Sequence, residues 1–111
     1  MIVEQRTYTL HPGQHLKYLD TYEKEGLEIQ RPILGNLVGY FFTDIGPLNQ
    51  IVHMWGYDSL DERTKRRRKL FEDLGWRAYI QMIVPMIASQ ESKILIPAPF
   101  SPIGGSRSAA K

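Results

Sequence analysis

The chain has 111 residues, of which 42% are hydrophobic and 23% charged, with a formal net charge of +2 and no cysteine. These values are typical of one soluble globular domain; they exclude disulfides and thiolate chemistry, and they give no reason to predict binding to nucleic acid or anionic lipid. No apolar run approaches the ~20 residues of a membrane span, and the first residues lack the pattern of a signal peptide, so a cytoplasmic location is expected.

The first part of the chain predicts a strand followed by a helix. Residues 2–10 are rich in strand-forming side chains, and H-P-G at 11–13 then turns the chain. From 14 to about 28 the apolar residues recur at three- and four-residue steps, which is the period of an amphipathic helix. Pro32 and Gly35 are expected to end or interrupt that helix.

Two further strands are predicted to form a hairpin. Residues 36–43 (NLVGYFFT) and 49–57 (NQIVHMWGY) are dominated by β-branched and aromatic side chains. Residues 44–48 (DIGPL) place Gly and Pro in the connection between them, which is typical of a turn.

The second half predicts two helices and a last strand. A capping-box pattern, S-x-x-E, begins at Ser59 and predicts a helix that runs to about Leu74, with Gly75 as its C-terminal cap. A third helix follows, and Pro85 should end or kink it. Residues 92–96 are the last short strand.

The predicted order β-α-β-β-α(α)-β indicates an α+β fold with a ferredoxin-like sheet and helices on one face. Residues 49–57 carry large or apolar groups on both faces. If the second face were exposed to solvent, roughly half a dozen large side chains would each lose about 1.5–3 kcal/mol of the stabilisation that burial provides. We therefore expect the sheet of a second copy to cover that face in a sheet-to-sheet homodimer. Which face carries His53 stays open.

Polar side chains on the predicted central strands are the candidate site. His53 is either a core histidine satisfied by a neighbouring group or a pocket-lining base or donor that titrates near neutral pH. Arg6 needs a partner, which is either Glu4 or an anionic ligand. The catalytic candidates are thus His53 and Arg6, and no metal site or cofactor is predicted. The ligand-binding candidates are the aromatic residues Tyr8, Trp55, Tyr40 and Tyr57.

The basic run KRRRK at 65–69 has two interpretations. It resembles a patch for nucleic acid or an anionic surface, but it also lies on a predicted helix with acidic residues at i,i+4 spacing, which favours a solvated, self-paired helix. Arg67 lacks such a partner and falls near a leucine stripe. The expected pairs are Asp61–Lys65, Glu62–Arg66, Arg68–Glu72 and Lys69–Asp73.

Three segments together resemble the NIPSNAP family: EQRTYTLHPG at 4–13, the stretch 22–67 that contains IGPLNQ and H-x-W-x-Y, and IASQESKILIPAPFSP at 87–102. The resemblance implies a dimeric α+β barrel, with one domain over 1–103 and a flexible tail over 104–111. Members of the family have no agreed biochemical activity. The wider fold group includes cofactor-free monooxygenases, small isomerases and haem-degrading enzymes, which hold substrate between sheet and helices.

Two functions are compatible with these features. One is a homodimer that binds a small hydrophobic or aromatic metabolite between sheet and helices and could act as a cofactor-free enzyme. The other is a non-enzymatic interaction module that uses its dimer surface, its basic helix and the proline-rich arm at 97–102. Neither a substrate nor a reaction can be named from the sequence.

Overall fold

The computed structural model describes residues 1–107, which form a four-stranded antiparallel sheet and four α-helices. The strand order is β2-β3-β1-β4, with β1 and β3 in the centre, and this is the ferredoxin-like arrangement that the sequence predicts. The elements are β1 (Ile2–Leu10), α1 (His15–Glu25), α2 (Leu27–Leu34), β2 (Asn36–Phe42), β3 (Gln50–Tyr57), α3 (Leu60–Glu72), α4 (Leu74–Ile83) and β4 (Ile87–Leu95).

The first predicted helix is two helices, because the chain bends at Gly26 rather than at Pro32. A Cβ at Gly26 would lie 3.0 Å from ring atoms of both Tyr22 and Tyr79, so a side chain here would require these rings to shift by a few tenths of an ångström. Pro32 lies inside α2. Gly35, at a φ of 95°, ends α2 as predicted.

The prediction for the next helix is right at its start and wrong at its end. Ser59 accepts a hydrogen bond from the Glu62 amide at 3.1 Å, which is the predicted cap of α3. The chain leaves α3 at Asp73, however, because the Asp73 carboxylate accepts from the Trp76 amide at 2.8 Å and starts α4. Gly75 is therefore a residue of α4 and not a helix C-cap.

The last strand is longer than predicted. β4 begins at Ile87, directly after a 3₁₀ turn that contains Pro85, and eight of its nine residues pair with β1, with an irregularity at Ala88. In the segment after β4, the amide of Ser101 donates to the Ala98 carbonyl and the amide of Arg107 donates to the Pro99 carbonyl. Of the predicted tail over 104–111, residues 108–111 lie outside the described residues.

All four helices pack against one face of the sheet, and this face carries the core. Ile51, His53, Trp55 and Tyr57 all point into it, since each is at most 4% exposed. This settles which way the alternating side chains of β3 face. On the other face Val52 and Met54 are only partly buried, and Phe41 is 53% exposed. No described helix is long and apolar enough to cross a membrane.

Candidate functional site

A cavity of about 210 Å³ lies between the sheet and the helices. The strand pairing places three side chains beside each other in its floor, because His53 on β3 is the Cα partner of Arg6 on β1 and of Tyr40 on β2. Helix residues form much of the rest of the wall, including Tyr18, Tyr22, Arg67, Trp76 and Tyr79. The sheet register thus brings together residues that are far apart in the sequence.

The imidazole of His53 is held in one tautomer by its neighbour on the same strand. The indole N–H of Trp55 donates to Nδ1 of His53 at 2.7 Å, so in the neutral ring the proton lies on Nε2. His53 is 1% exposed, and its Nε2 has no hydrogen-bond partner among residues 1–107. Of the two ring nitrogens, Nε2 is therefore the one whose hydrogen-bonding capacity is unused.

His53 does not titrate near neutral pH, contrary to the sequence-based expectation. Burial lowers the pKa of His53 to about 3, and the positive charge of Arg6 acts in the same direction. At neutral pH the ring is therefore uncharged, and it can serve as a hydrogen-bond donor through Nε2.

Aromatic rings enclose His53 on two sides. Tyr40 stacks on the imidazole with ring centroids 4.7 Å apart, and Tyr8 meets it edge-on at 5.0 Å. Tyr22 stacks in turn on Tyr40 at 4.5 Å, and the hydroxyls of Tyr18 and Tyr40 lie 3.0 Å apart. Burial raises the pKa of Tyr18, Tyr22 and Tyr40, so these phenols stay uncharged. This part of the wall is thus aromatic, and its polar groups are uncharged.

A buried carboxylate anchors one end of the site. Glu4 is completely buried and accepts from Arg6 at 3.1 Å, from Arg63 at 3.0 and 2.8 Å, and from the Ser92 hydroxyl at 2.6 Å. Burial alone would raise the pKa of Glu4, but the bonds from Arg63 and Ser92 and the nearby positive charges lower it to about 2. Of the two partners considered for Arg6, the structure contains Glu4.

Two arginines of the basic helix α3 point towards the interior of the protein. Of its four predicted ion pairs, the described residues form one, Glu62–Arg66, at 2.8 Å. Arg63 binds Glu4, and Arg67 lines the cavity instead of only lying along the leucine stripe. The interpretation of 65–69 as a self-paired helix is therefore right for one of the four pairs, and Arg67 lies in the cavity wall together with Leu70 of the leucine stripe.

The predicted site residues divide into two groups. Arg6, Tyr8, Tyr40 and His53 line the cavity together. Trp55 does not line it but supports His53 from the same strand, and Tyr57 lies farther along β3 beside a second cavity of about 290 Å³. Among described residues, no group of three or more His, Cys, Asp or Glu side chains could hold a metal ion.

The helix residues that line the cavity, among them Tyr18 and Tyr22, were not predicted from the sequence. Tyr18 and Tyr22 are four residues apart on α1, so they lie on one helix face, and both are at most 5% exposed. Gln30 on α2 accepts from the Tyr22 hydroxyl at 2.6 Å. The spacing of the two tyrosines was a readable signal of a shared face, but nothing local indicated that this face lies opposite His53.

Residues 3–102 match the sequence model of the NIPSNAP family. "Protein NipSnap homolog 1" of Danio rerio is 33% identical over 102 residues, which cover 92% of this chain and 36% of that protein. The chain thus spans about a third of the length of this curated relative.

Among solved structures, a NIPSNAP family protein from Agrobacterium tumefaciens is 54% identical, with a TM-score of 0.90 over 92% of this chain and 97% of that one. A putative antibiotic biosynthesis monooxygenase from Nitrosomonas europaea is 9% identical, with a TM-score of 0.65 over 87% of this chain and 98% of that one. The second likeness concerns the fold alone.

Proposed function

The chain belongs to the NIPSNAP family, and we propose that it forms a homodimer that binds a small hydrophobic or aromatic metabolite between sheet and helices. The observation that carries this proposal is His53, which lines the cavity and whose buried Nε2 has no hydrogen-bond partner among the described residues. Buried polar groups are normally paired, so an acceptor atom on a bound molecule would complete this site.

The size of the cavity limits the ligand to a small molecule. An apolar cavity of about 150 Å³ holds one benzene molecule, and pockets for drug-sized ligands start at about 300 Å³. The volume of about 210 Å³ fits one aromatic ring with a short substituent. Stacked rings such as Tyr22 and Tyr40 in the wall favour an aromatic ligand.

The same arrangement would support cofactor-free chemistry on an oxygen-containing ligand. The neutral His53 can donate from Nε2 to a carbonyl or phenolic oxygen and stabilise negative charge that develops there. Arg6 adds a fixed positive charge beside it, since the two residues are cross-strand partners. In this proposal His53 acts as a hydrogen-bond donor and not as a general base.

The uncovered face of the sheet would be the dimer interface. Phe41, Val52 and Met54 lie on this face, and no helix of the described chain covers it. A Met54→Lys variant should run as a monomer in size-exclusion chromatography with light scattering, whereas Leu16→Lys, which changes an exposed helix residue, should stay dimeric. A monomeric unmodified protein at micromolar concentration would remove the dimer from the proposal.

Ligand binding can be tested by narrowing the cavity at its exposed edge. Val84 lines the cavity and is 54% exposed, so Val84→Trp adds bulk with little risk to the fold. The matched control is Met82→Trp, which changes a 45% exposed residue that does not line the cavity. Probes such as phenylacetate, phenylacetamide and indole should bind the unmodified protein and the control, as measured by calorimetry, and at least tenfold more weakly the Val84 variant. Equal affinities in all three proteins, or no binding of any probe, would reject the cavity as a site.

A further inference from the structure

Positive charge exceeds negative charge at the Glu4 end of the cavity. Three guanidinium groups, those of Arg6, Arg63 and Arg67, act on the one buried carboxylate, Glu4. That carboxylate is already occupied by hydrogen bonds from Arg6, Arg63 and Ser92. Since His53 is uncharged at neutral pH, this group of side chains has two positive charges in excess.

Arg67 interacts with the charge of Glu4 only from a distance. Its guanidinium lies 5.6 Å from the ring centroid of Phe71, and within residues 1–107 it forms no hydrogen bond or ion pair. Burial lowers the pKa of Arg67, and the charge of Arg6 lowers it further. A partly buried cation beside another cation is costly unless an anion joins them.

Three residues with unused donors, from three different elements, line the cavity. Arg6 on β1 uses Nε on the Tyr8 hydroxyl at 3.1 Å and Nη1 on Glu4, which leaves Nη2 available. His53 on β3 offers Nε2, and Arg67 on α3 offers its whole planar fork. A carboxylate matches such a set, because it accepts up to about four hydrogen bonds and compensates one of the excess charges.

We propose that the ligand of this cavity is a small aromatic carboxylate, with its carboxylate between Arg67 and Arg6, its nearest oxygen on Nε2 of His53, and its ring against the tyrosine wall. This inference rests on the proposed function, because it names the chemical class of the molecule bound in the same cavity. It assigns to Arg67 the role of recognising the charge of the ligand.

The test compares acids with their uncharged amides of the same size. Benzoate with benzamide, and phenylacetate with phenylacetamide, should be titrated by calorimetry into the unmodified protein at pH 7. We expect each acid to bind at least tenfold more tightly than its amide. Arg67→Met, which keeps an unbranched apolar side chain, should abolish this preference, and the matched control Arg68→Met, which changes an exposed cation on the same helix, should retain it.

The outcomes separate this inference from the proposed function. If amides bind as tightly as acids, the carboxylate assignment is wrong while the cavity stands as a site. If no probe of either kind binds, both proposals fail. If Arg67→Met keeps the preference for acids, the assignment of Arg67 is wrong. The comparison on the unmodified protein is decisive even if the Arg67 variant does not fold.

Discussion

Replacing Glu4 by glutamine should strongly destabilise the protein, although the two side chains have nearly the same shape. The carboxylate accepts four hydrogen bonds, three of them from guanidinium groups of Arg6 and Arg63. An amide removes the negative charge and turns an NH₂ group towards one or more of these donors. Both arginines then lose their counterion at positions where water can replace it only in part.

The expected magnitude follows from the burial of this network. Glu4 is completely buried, while Arg6 and Arg63 have side chains that are 16% and 26% exposed. Breaking a buried ion pair by removing one partner costs about 3–5 kcal/mol. A small domain has a total stability of about 5–15 kcal/mol, so Glu4→Gln should remove a large part of it.

The assay is urea unfolding followed by far-UV circular dichroism, at a single protomer concentration because association also stabilises the folded state. The control is Glu62→Gln, which breaks the Glu62–Arg66 pair on α3, whose side chains are 36% and 38% exposed. Exposed pairs contribute about 0–1 kcal/mol, so this variant should unfold close to the unmodified protein. Equal losses in the two variants would refute the argument from burial.

The pH dependence of the same comparison gives an independent test. Because the pKa of Glu4 is lowered from 4.5 to about 2 in the folded state, its stabilising contribution is complete above about pH 4.5 and is lost as the pH falls towards 2. The difference in stability between the unmodified protein and Glu4→Gln should therefore shrink over this interval. A difference that stays constant down to the lowest pH at which the protein is folded would contradict the assignment.

Two further changes test other parts of the structure. The pKa of His53 is lowered from 6.5 to about 3 in the folded state, so the unfolded chain binds a proton more readily there. Between pH 6.5 and 3, protonation of His53 in the unfolded chain should therefore reduce the free energy of unfolding by about 1.4 kcal/mol for each unit by which the pH falls. A His53→Gln variant should lack this contribution in urea unfolding at pH 6.5, 5.5 and 4.5, and an unchanged slope would exclude a neutral, buried imidazole. Asp73→Ala removes the cap of α4 and should cost about 1 kcal/mol, measured as a shift of the urea midpoint, while Asp61→Ala on the exposed part of α3 should cost less.

Local patterns in the sequence were sufficient for the order of the elements. The boundaries of β1, the turn after β2 and the capping box at Ser59 depend on residues close in the chain, and each lies where the pattern predicts it. The two errors in helix boundaries, at Gly26 and Asp73, have different causes. The bend at Gly26 depends on the nearby rings of Tyr22 and Tyr79, which is a tertiary constraint. The capping carboxylate of Asp73 is a local signal, but the sequence-based prediction assigned Gly75 as the helix C-cap instead.

Only part of the candidate site could be predicted from the sequence. Alternation showed which side chains share a face of each strand, and the predicted ferredoxin-like order placed the strands of Arg6, Tyr8 and His53 in the centre. The register that makes Arg6 the partner of His53 could not be predicted, because a strand that slips by two residues keeps the same side chains on the same face. The tautomer of His53 depends on Trp55, two residues further along the same strand. The buried indole N–H of Trp55 donates to Nδ1 of His53.

The sequence by itself determined the class of fold and the residues that belong on strands, because periodicity and turn chemistry act over a few neighbouring residues. Only the tertiary structure decided which face His53 occupies and that Arg63 and Arg67 point inward towards Glu4 and the cavity. These positions depend on how α3 packs against β1, since Arg63 and Glu4 are 59 residues apart in the sequence. They also depend on whether a buried charge has a partner of opposite charge. The inward position of Arg63 and Arg67 therefore results from the packing of α3 on the sheet, and the run of basic residues alone did not reveal it.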